Sequence, residues 1–260
     1  TKRIKIMKNK AIILVAVRLK SKRLKNKALL NLFDKPLIVQ LTERLKKSKL
    51  SSDIIWCTSK NKADDKLETL AKKNNVKIYR GDPKDVMKRF IFAAKKFKAK
   101  NIVRVTGDNP LTDPKIIDFM IKSHVQRKKD YTSCNSIPFG ARSEVISFKI
   151  LKKCHSMLVD PNSSEYMTWM LNRPKYFKTN DLNHPNSKIN RPEISLTVDY
   201  LQDYKNINEI YNYFRGKVPS LQNIIQWLDK NEKLLKKLKK KRTTKKPKNI
   251  NIKFKKLYEN

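Results

Sequence analysis

An unbroken apolar run, residues 11–17, gives way at Arg18 to a loop crowded with cations that extends to Lys27. A run this short cannot cross a bilayer, but it suits a strand buried on both faces at the centre of a sheet. Basic residues from Lys2 to Lys10 precede it and give it a superficial likeness to a secretory leader. Arg18 and Lys20 follow directly and no small-residue cleavage site comes after, so the run reads as a first strand.

Strand-like and helix-like segments then alternate, which predicts an α/β fold with a largely parallel sheet. Helical spacing over residues 37–47 puts Leu37, Leu41 and Leu45 on one face. Further strands are predicted over 54–58, 76–79 and 102–106, and a helix over 63–74. Asp82, with Pro83 at the first helical position, predicts a helix running to about Phe97. Asp113 and Pro114 start the next helix by the same capping logic. Past residue 130 the pattern loosens. Short strands are expected over 131–133, 145–147 and 194–198, and helices over 148–158, 164–171 and 200–214. A last amphipathic helix is expected over 221–238, and an edge strand over 250–254.

The charge balance is lopsided: 62 Lys and Arg against 23 Asp and Glu, a formal net charge of +39. Such a field draws anions, from nucleotides to nucleic acid. The chain shows no helix-turn-helix, zinc-finger or aromatic RNA-binding motif, and its abundance of Lys, Asn and Ile fits a solvated basic surface better than a nucleic-acid interface. Cys57, Cys134 and Cys154 have no metal-ligand spacing and cannot all pair; His124, His155 and His184 form no metal motif. A reducing cytoplasm is the compartment expected, with no membrane association.

Open α/β sheets bind ligands beyond the carboxyl ends of their strands. Three features sit there. The loop of residues 18–27 carries Arg18, Arg23 and Lys27 with the hydroxyl of Ser21, which suits the oxygens of a triphosphate. Residues 106–110 place Gly107 and Asp108 at the end of a strand. Residues 197–199 end another apolar segment in Asp199. Two such carboxylates can hold one Mg²⁺, with phosphate oxygens and water completing its shell.

Arg18, Ser21, Arg23, Leu24 and Lys27 fill an R-x-x-S-x-R-L-P-x-K pattern. Lys35-Pro36-Leu37, Glu43-Arg44-Leu45, Thr58 with Asp64 and Asp65, Arg80-Gly81, Asp85-Val86 and Arg89 continue it. So do residues 103–114 and 196–199, with Asp203. On these motifs, over roughly residues 11–235, the chain resembles the CMP-sugar-type cytidylyltransferases. That group includes the acylneuraminate and 3-deoxy-manno-octulosonate enzymes, and the likeness is greatest to spore-coat polysaccharide F-type proteins.

The resemblance implies a three-layer, Rossmann-like nucleotidyltransferase fold with a mostly parallel mixed sheet. It implies one cytidylyltransferase domain over 1–235: a nucleotide half at 11–127, an acceptor and dimer half at 128–200 and closing helices at 200–235, then a basic tail at 236–260. CTP would be the donor and pyrophosphate the by-product, in surface polysaccharide or glycoconjugate synthesis, by a homodimer. Arg18, Lys27 and Asp108 would be catalytic. Ser21, Arg23, Thr58, Arg80 and Arg104 would join them on CTP, and Asp108 and Asp199 would hold Mg²⁺.

The chain departs from the family in three places, two of them in the acceptor half. Lys25 and Asn26 replace Pro and a frequent Gly in the first loop, where Asn still tolerates a left-handed turn. Ser164-Glu165-Tyr166-Met167-Thr168 replaces R-E-H-V-T, and Gly140-Ala141-Arg142-Ser143-Glu144 replaces a glycine-leucine-aspartate segment. Arg142, Glu144 and Glu165 are therefore the acceptor candidates. The acceptor itself stays open between an acidic sugar and a phosphonate or phosphate ester. A metal-dependent glycosyltransferase of related fold is the other enzyme class considered; the chain has no Asp-x-Asp motif.

Overall fold

A computed structural model describes residues 11–21, 23–162, 164–239 and 252–255. The strands are β1 (Ala11–Ala16), β2 (Asn31–Leu32), β3 (Lys35–Pro36), β4 (Ser51–Ser59), β5 (Lys77–Gly81), β6 (Asn101–Thr106), β7 (Tyr131–Ser133), β8 (Glu144–Ser147) and β9 (Thr179–Asp181). The α-helices are α1 (Leu37–Leu45), α2 (Asp65–Lys73), α3 (Val86–Lys96), α4 (Pro114–Gln126), α5 (Phe148–Met157), α6 (Met167–Leu171), α7 (Leu201–Tyr213), α8 (Leu221–Lys230) and α9 (Glu232–Leu238).

The main sheet has the order β5-β4-β1-β6-β8-β7-β9. β5, β4, β1 and β6 run parallel, β8 is antiparallel to β6 and to β7, and β9 lies parallel to β7. β2 and β3 form a separate small ribbon. β1 is central, and its alternate side chains feed opposite layers. Ile13 and Val15 pack with α1, α4, α7 and α8, whereas Ile12 and Leu14 pack with α3, α5 and α6. Burying each such side chain contributes about 1.5–3 kcal/mol, which is why an all-apolar strand belongs here. The fold is the expected three-layer α/β nucleotidyltransferase architecture. Among the described residues, no helix is long and apolar enough to cross a membrane.

Several local expectations change. Helix α3 starts after Asp85, whose side chain accepts from the Lys88 amide at 2.8 Å. Asp82 instead accepts from the Lys84 and Asp85 amides at 2.9 and 3.0 Å, closing a turn that holds Pro83 outside the helix. Residues 194–198 are buried but make single bridges to different partners, Ile194 to Lys239 and Ser195 to Phe139, rather than a ladder. The expected helix over 221–238 divides at Asn231, whose side chain accepts from the Leu234 amide at 3.3 Å and so caps α9. β9, built from Thr, Asn and Asp, has little intrinsic strand preference and forms because β7 offers it a pairing edge. Of the edge strand expected over 250–254, residues 250 and 251 lie outside the described residues, and Phe254 makes one bridge to Leu158. Residues 1–10 and, from the basic tail, 240–251 and 256–260 lie outside them as well.

Candidate active site

The site is assembled where β1 and β6 end side by side. The Gly107 amide donates to Ala16 O at 2.8 Å, and a Cβ on Gly107 would stand 2.9 Å from Val17 Cβ. Only glycine lets the turn after β6 come so close to the exit of β1. That approach sets Asp108 against the loop that follows β1. In this loop Asn26 takes the left-handed conformation (φ 53°), as its residue type allows, and Lys27 begins a short 3₁₀ turn.

Asp199 reaches the same place from the other end of the chain. Gly140, at φ 91°, has no room for a Cβ, which would lie 2.4 Å from the Leu196 carbonyl carbon. Phe139 can therefore bridge to residues 194–196 and hold them extended, and the Val198 amide then donates to Asp108 O at 2.9 Å. Asp203 accepts from the amides of Asp199 and Tyr200 at 3.1 and 3.0 Å and starts α7 immediately afterwards.

The outcome is two carboxylates on one ammonium. Lys27 Nζ lies 2.6 Å from Asp108 Oδ2 and 3.2 Å from Asp199 Oδ1, and donates to Val198 O at 2.9 Å. Arg23 Nη2 donates to the same Asp199 oxygen at 2.8 Å, and its guanidinium lies 5.5 Å from the Tyr200 ring centroid. Burial pushes the Asp108 carboxyl up, but the charge and hydrogen bond of Lys27 outweigh it and hold Asp108 below its ordinary value. Burial also opposes the charge of Arg23, which Asp199 and Tyr200 more than restore.

A cavity of about 840 Å³ opens on this cluster. Arg18, Ser21, Arg23, Lys27, Arg104 and Asp108 line it, with Glu165 and Tyr166 on one wall and Asn61, Lys84 and Arg89 on another. The first loop is pinned from beneath by Asp64, which is 1% exposed and accepts from the Leu19 amide at 2.8 Å and from the amide and hydroxyl of Ser59. Arg18 Nη2 donates to Glu165 Oε2 at 2.8 Å, a half-exposed pair that ties the loop to the opposite wall and contributes at most about 1 kcal/mol.

Glu144 lies behind that wall. It accepts from Arg104, from Tyr131 Oη and from Thr168 Oγ1 at 2.6 Å, while Arg104 Nη2 donates to Glu165 O at 3.1 Å. Burial raises the Glu144 carboxyl, but Arg104 and these donors bring it below its ordinary 4.5. A carboxyl depressed in the folded state adds stability above its unfolded pKa and loses it as pH falls through the folded value. Glu144→Gln should therefore flatten the acid limb of stability below about pH 4.5. It should also cost about 3–5 kcal/mol at neutral pH by leaving Arg104 buried without a counter-charge. Urea midpoints from pH 3 to 7 check both.

Besides Asp199 and Glu144, which reach the site through Lys27 and Arg104, three expected site residues lie apart from the cavity lining. Thr58 is fully buried in β4, and its hydroxyl has no hydrogen-bond partner among the described residues. Arg80 is taken up by Asp65 and Glu68 at 2.6 and 2.8 Å and by the carbonyls of Ser59 and Asn61. Arg142 donates to Ile137 O at 2.8 Å and Asn135 Oδ1 at 3.3 Å, with its guanidinium 5.6 Å from the Phe139 ring centroid. Nearer groups claim Arg80 and Arg142, whereas Thr58 is enclosed within the sheet. Conversely, Arg89, Asn61 and Lys84 line the cavity without having been singled out as site residues. The available signal was an arginine inside the apolar stripe of α3, between Met87 and Phe90.

A family model described as cytidylyltransferase matches residues 12–246. The chain is 37% identical over 226 residues to an uncharacterised protein of Methanocaldococcus jannaschii, covering 86% of this chain and 93% of that one. It is 29% identical over 231 residues to the spore coat polysaccharide biosynthesis protein SpsF of Bacillus subtilis, covering 86% and 95%. A solved cytidylyltransferase from Leptospira borgpetersenii superposes with a TM-score of 0.78 at 29% identity, covering 92% of this chain and 99% of that one. The family match takes in all but the first residue of the sheet and the whole cluster around Lys27, and on that ground the chain belongs to the cytidylyltransferase family.

Proposed function

We propose that this chain transfers CMP from CTP to a small acidic acceptor, releasing pyrophosphate, with one Mg²⁺ held by Asp108 and Asp199. The observation that carries the reading is the convergence of both carboxylates on a single positive centre, Lys27 Nζ, at the cavity. The donor chemistry fits the ion: two hard carboxylate oxygens, one just after β6 and one after the extended residues 194–198, already arranged around a cation. Among the described residues no group of three or more His, Cys, Asp or Glu could hold a metal. That accords with Mg²⁺, which commonly takes one or two carboxylates and completes its shell with substrate phosphate and water. When bound, it would offset charge on the α-phosphate.

The chain's own residues supply the rest. Arg18, Arg23 and Lys27 present charged donors to the triphosphate and to the departing pyrophosphate. In the free protein Arg18 and Arg23, both about half exposed, are held by Glu165 and Asp199, and phosphate oxygens can replace those carboxylates at little cost. Glu165 and Tyr166, on the wall made by the departing segment, face the acceptor. An acceptor phosphonate or phosphate is already anionic, whereas a sugar hydroxyl needs a base. An acidic sugar is supported by the resemblance to 3-deoxy-manno-octulosonate enzymes, and the relative named for spore coat polysaccharide biosynthesis supports a role in surface polysaccharide assembly. The three cysteines are free and buried, which suits a reducing cytoplasm. A homodimer belongs to the same reading.

Pyrophosphate release should be measured from each nucleoside triphosphate against a panel of acidic sugars and phosphonates, with and without EDTA. The expected result is release from CTP alone, lost on chelation; release unaffected by excess EDTA would end the metal assignment. Lys27→Ala should lower kcat/KM by roughly 10²–10³-fold, since it removes a charge felt most in the transition state. It also strips Asp108 of the partner that opposes burial, so the acid limb of the residual pH–rate profile should move to higher pH. Full activity in this variant would make Lys27 an ordinary structural cation.

A further inference from the structure

We propose that the end of the molecule opposite the cavity, where the parallel strands begin, docks the protein on an anionic lipid bilayer. Lysines flank the strand starts there. β5 opens with Lys77, β6 follows Lys100, and β9 follows Lys178. β8 runs the other way, ends at this edge and leads into α5, whose first two turns carry Lys149, Lys152 and Lys153. Printed on one another by backbone contacts, these segments form a continuous face. The Phe148 amide donates to Lys100 O at 2.9 Å, the Ser147 hydroxyl to Lys129 O at 3.1 Å, and the Asp130 amide to Lys178 O at 2.9 Å. On the β5 side, Lys77 and Lys96 lie 5.8 and 5.7 Å from the Phe97 ring centroid. A sheet of this strand number is about 30 Å across, and the length of β6 sets the face about 20 Å from the Lys27 cluster.

The carboxylates at this end are already engaged. Asp53 pairs with Lys77, and Asp118 accepts from the Ser48 hydroxyl and the amides of Lys49 and Leu50. Asp130 accepts from the Lys178 amide at 2.9 Å. Lys100, Lys149, Lys152, Lys153 and Lys178 are exposed, and among the described residues none of them is in an ion pair. Helix chemistry does not account for all of them. Lysines suit the last turn of a helix, as Lys95 and Lys96 do on α3. Lys149 instead stands in the first turn of α5, where the free amides already present positive charge and Ser147 makes no capping bond. Cations gathered there repel one another and the helix dipole, and an anionic surface would remove that cost.

The donors select the kind of anion. They are lysines, compact and strongly hydrated point charges, rather than the guanidinium forks that grip a phosphate in fixed geometry. The rings on the face, Phe97 and Phe148, are part-buried and lie beside ammonium groups, with Lys152 Nζ 5.0 Å from the Phe148 centroid, so they offer no open platform for bases. A nucleic acid holds its phosphates at fixed spacing. Lipid headgroups diffuse in the plane and gather under cations spread over a broad face, which is the arrangement here. Such a peripheral contact needs no spanning helix and is compatible with there being none among the described residues. The cavity, at the other ends of the strands, would open away from the bilayer and stay accessible to soluble substrates.

The test is co-sedimentation of the full chain with vesicles of phosphatidylcholine alone and of phosphatidylcholine mixed with phosphatidylglycerol, at low and high salt. The unsubstituted protein should sediment with the anionic vesicles, stay in solution with the neutral ones, and be released by salt. A face variant carries Lys100→Glu, Lys149→Glu, Lys152→Glu and Lys153→Glu. A control with the same change in net charge carries Lys205→Glu, Lys217→Glu, Lys230→Glu and Lys233→Glu, on and between the helices of the other layer. The face variant should bind anionic vesicles about 10²-fold more weakly, and the control should lose far less. The face variant should also melt no lower than the unsubstituted protein, since it places acidic groups at the start of α5. If it does not fold, Lys→Gln at the same positions decides. Equal loss in face variant and control overturns the proposal in favour of net charge. Equal sedimentation with neutral vesicles overturns it as well. Duplex DNA that strips the protein from anionic vesicles, and whose binding falls in step in the face variant, overturns it in favour of nucleic acid.

Discussion

Asp108→Asn should abolish CMP transfer and leave the fold in place. The carboxamide keeps the shape of the side chain and can still accept from Lys27 Nζ, but it removes the negative charge on which the metal site depends. The backbone of Asp108 would still accept from the Val198 amide, so the approach of residues 196–199 would survive. Lys27 would remain held by Asp199 and Val198 O. Stability should thus change by only about 1 kcal/mol, whereas kcat/KM should fall roughly 10³-fold or more. Because Lys27 holds Asp108 below its ordinary 3.8, this carboxylate stays ionised through mildly acidic pH, and any activity lost there must come from another group. Pyrophosphate release and a thermal melt measured side by side decide the matter. Undiminished turnover in Asp108→Asn would remove the residue from the chemistry.

The largest effect on stability is expected at Asp113→Ala. Asp113 is 2% exposed and serves three elements. Its Oδ1 accepts from the Lys115 and Ile116 amides at 2.8 and 3.3 Å, capping α4. Its Oδ2 accepts from Arg44 Nη2 at 3.1 Å and from the Leu221 amide at 2.6 Å, joining α1 to the start of α8. Alanine would strip the cap, typically worth about 1 kcal/mol. The heavier loss is the counter-charge of Arg44, which would be left buried with carbonyl partners only; breaking such a pair costs about 3–5 kcal/mol. Urea denaturation should show a loss in that range. Asp113→Asn, which keeps an acceptor for the cap, should lose less. A drop below about 1 kcal/mol for Asp113→Ala would mean that the three carbonyls alone suffice for Arg44.

Local physics was legible without coordinates. The apolar run of residues 11–17 could only be a doubly covered strand, and it is the centre of the sheet. Asp113 and Pro114 start α4 because cap and first-turn chemistry act within a few residues. Asn26 turns left-handed for the same local reason. Gly107 and Asp108 could be placed at a strand end, since a strand that stops in a glycine and a carboxylate leaves both at the sheet's edge. Where two local signals compete, spacing alone does not choose: Asp82 and Asp85 both suit a helix cap, and the turn closed by Asp82 left the role to Asp85.

What only the tertiary structure decided is which distant group each charged side chain meets. Arg80, Arg142 and Arg89 look alike in sequence, each a cation near a loop or helix start. Arg80 finds two carboxylates on α2, Arg142 finds a carbonyl five residues away, and Arg89 lines the cavity with its Nε unpartnered among the described residues. Asp199 joins Asp108 because Gly140 admits the backbone at residue 196, a contact between segments more than fifty residues apart. A guanidinium or carboxylate has no periodicity to betray its partner. Its energy depends on burial and on the nearest opposite charge, and both are set by how the layers pack.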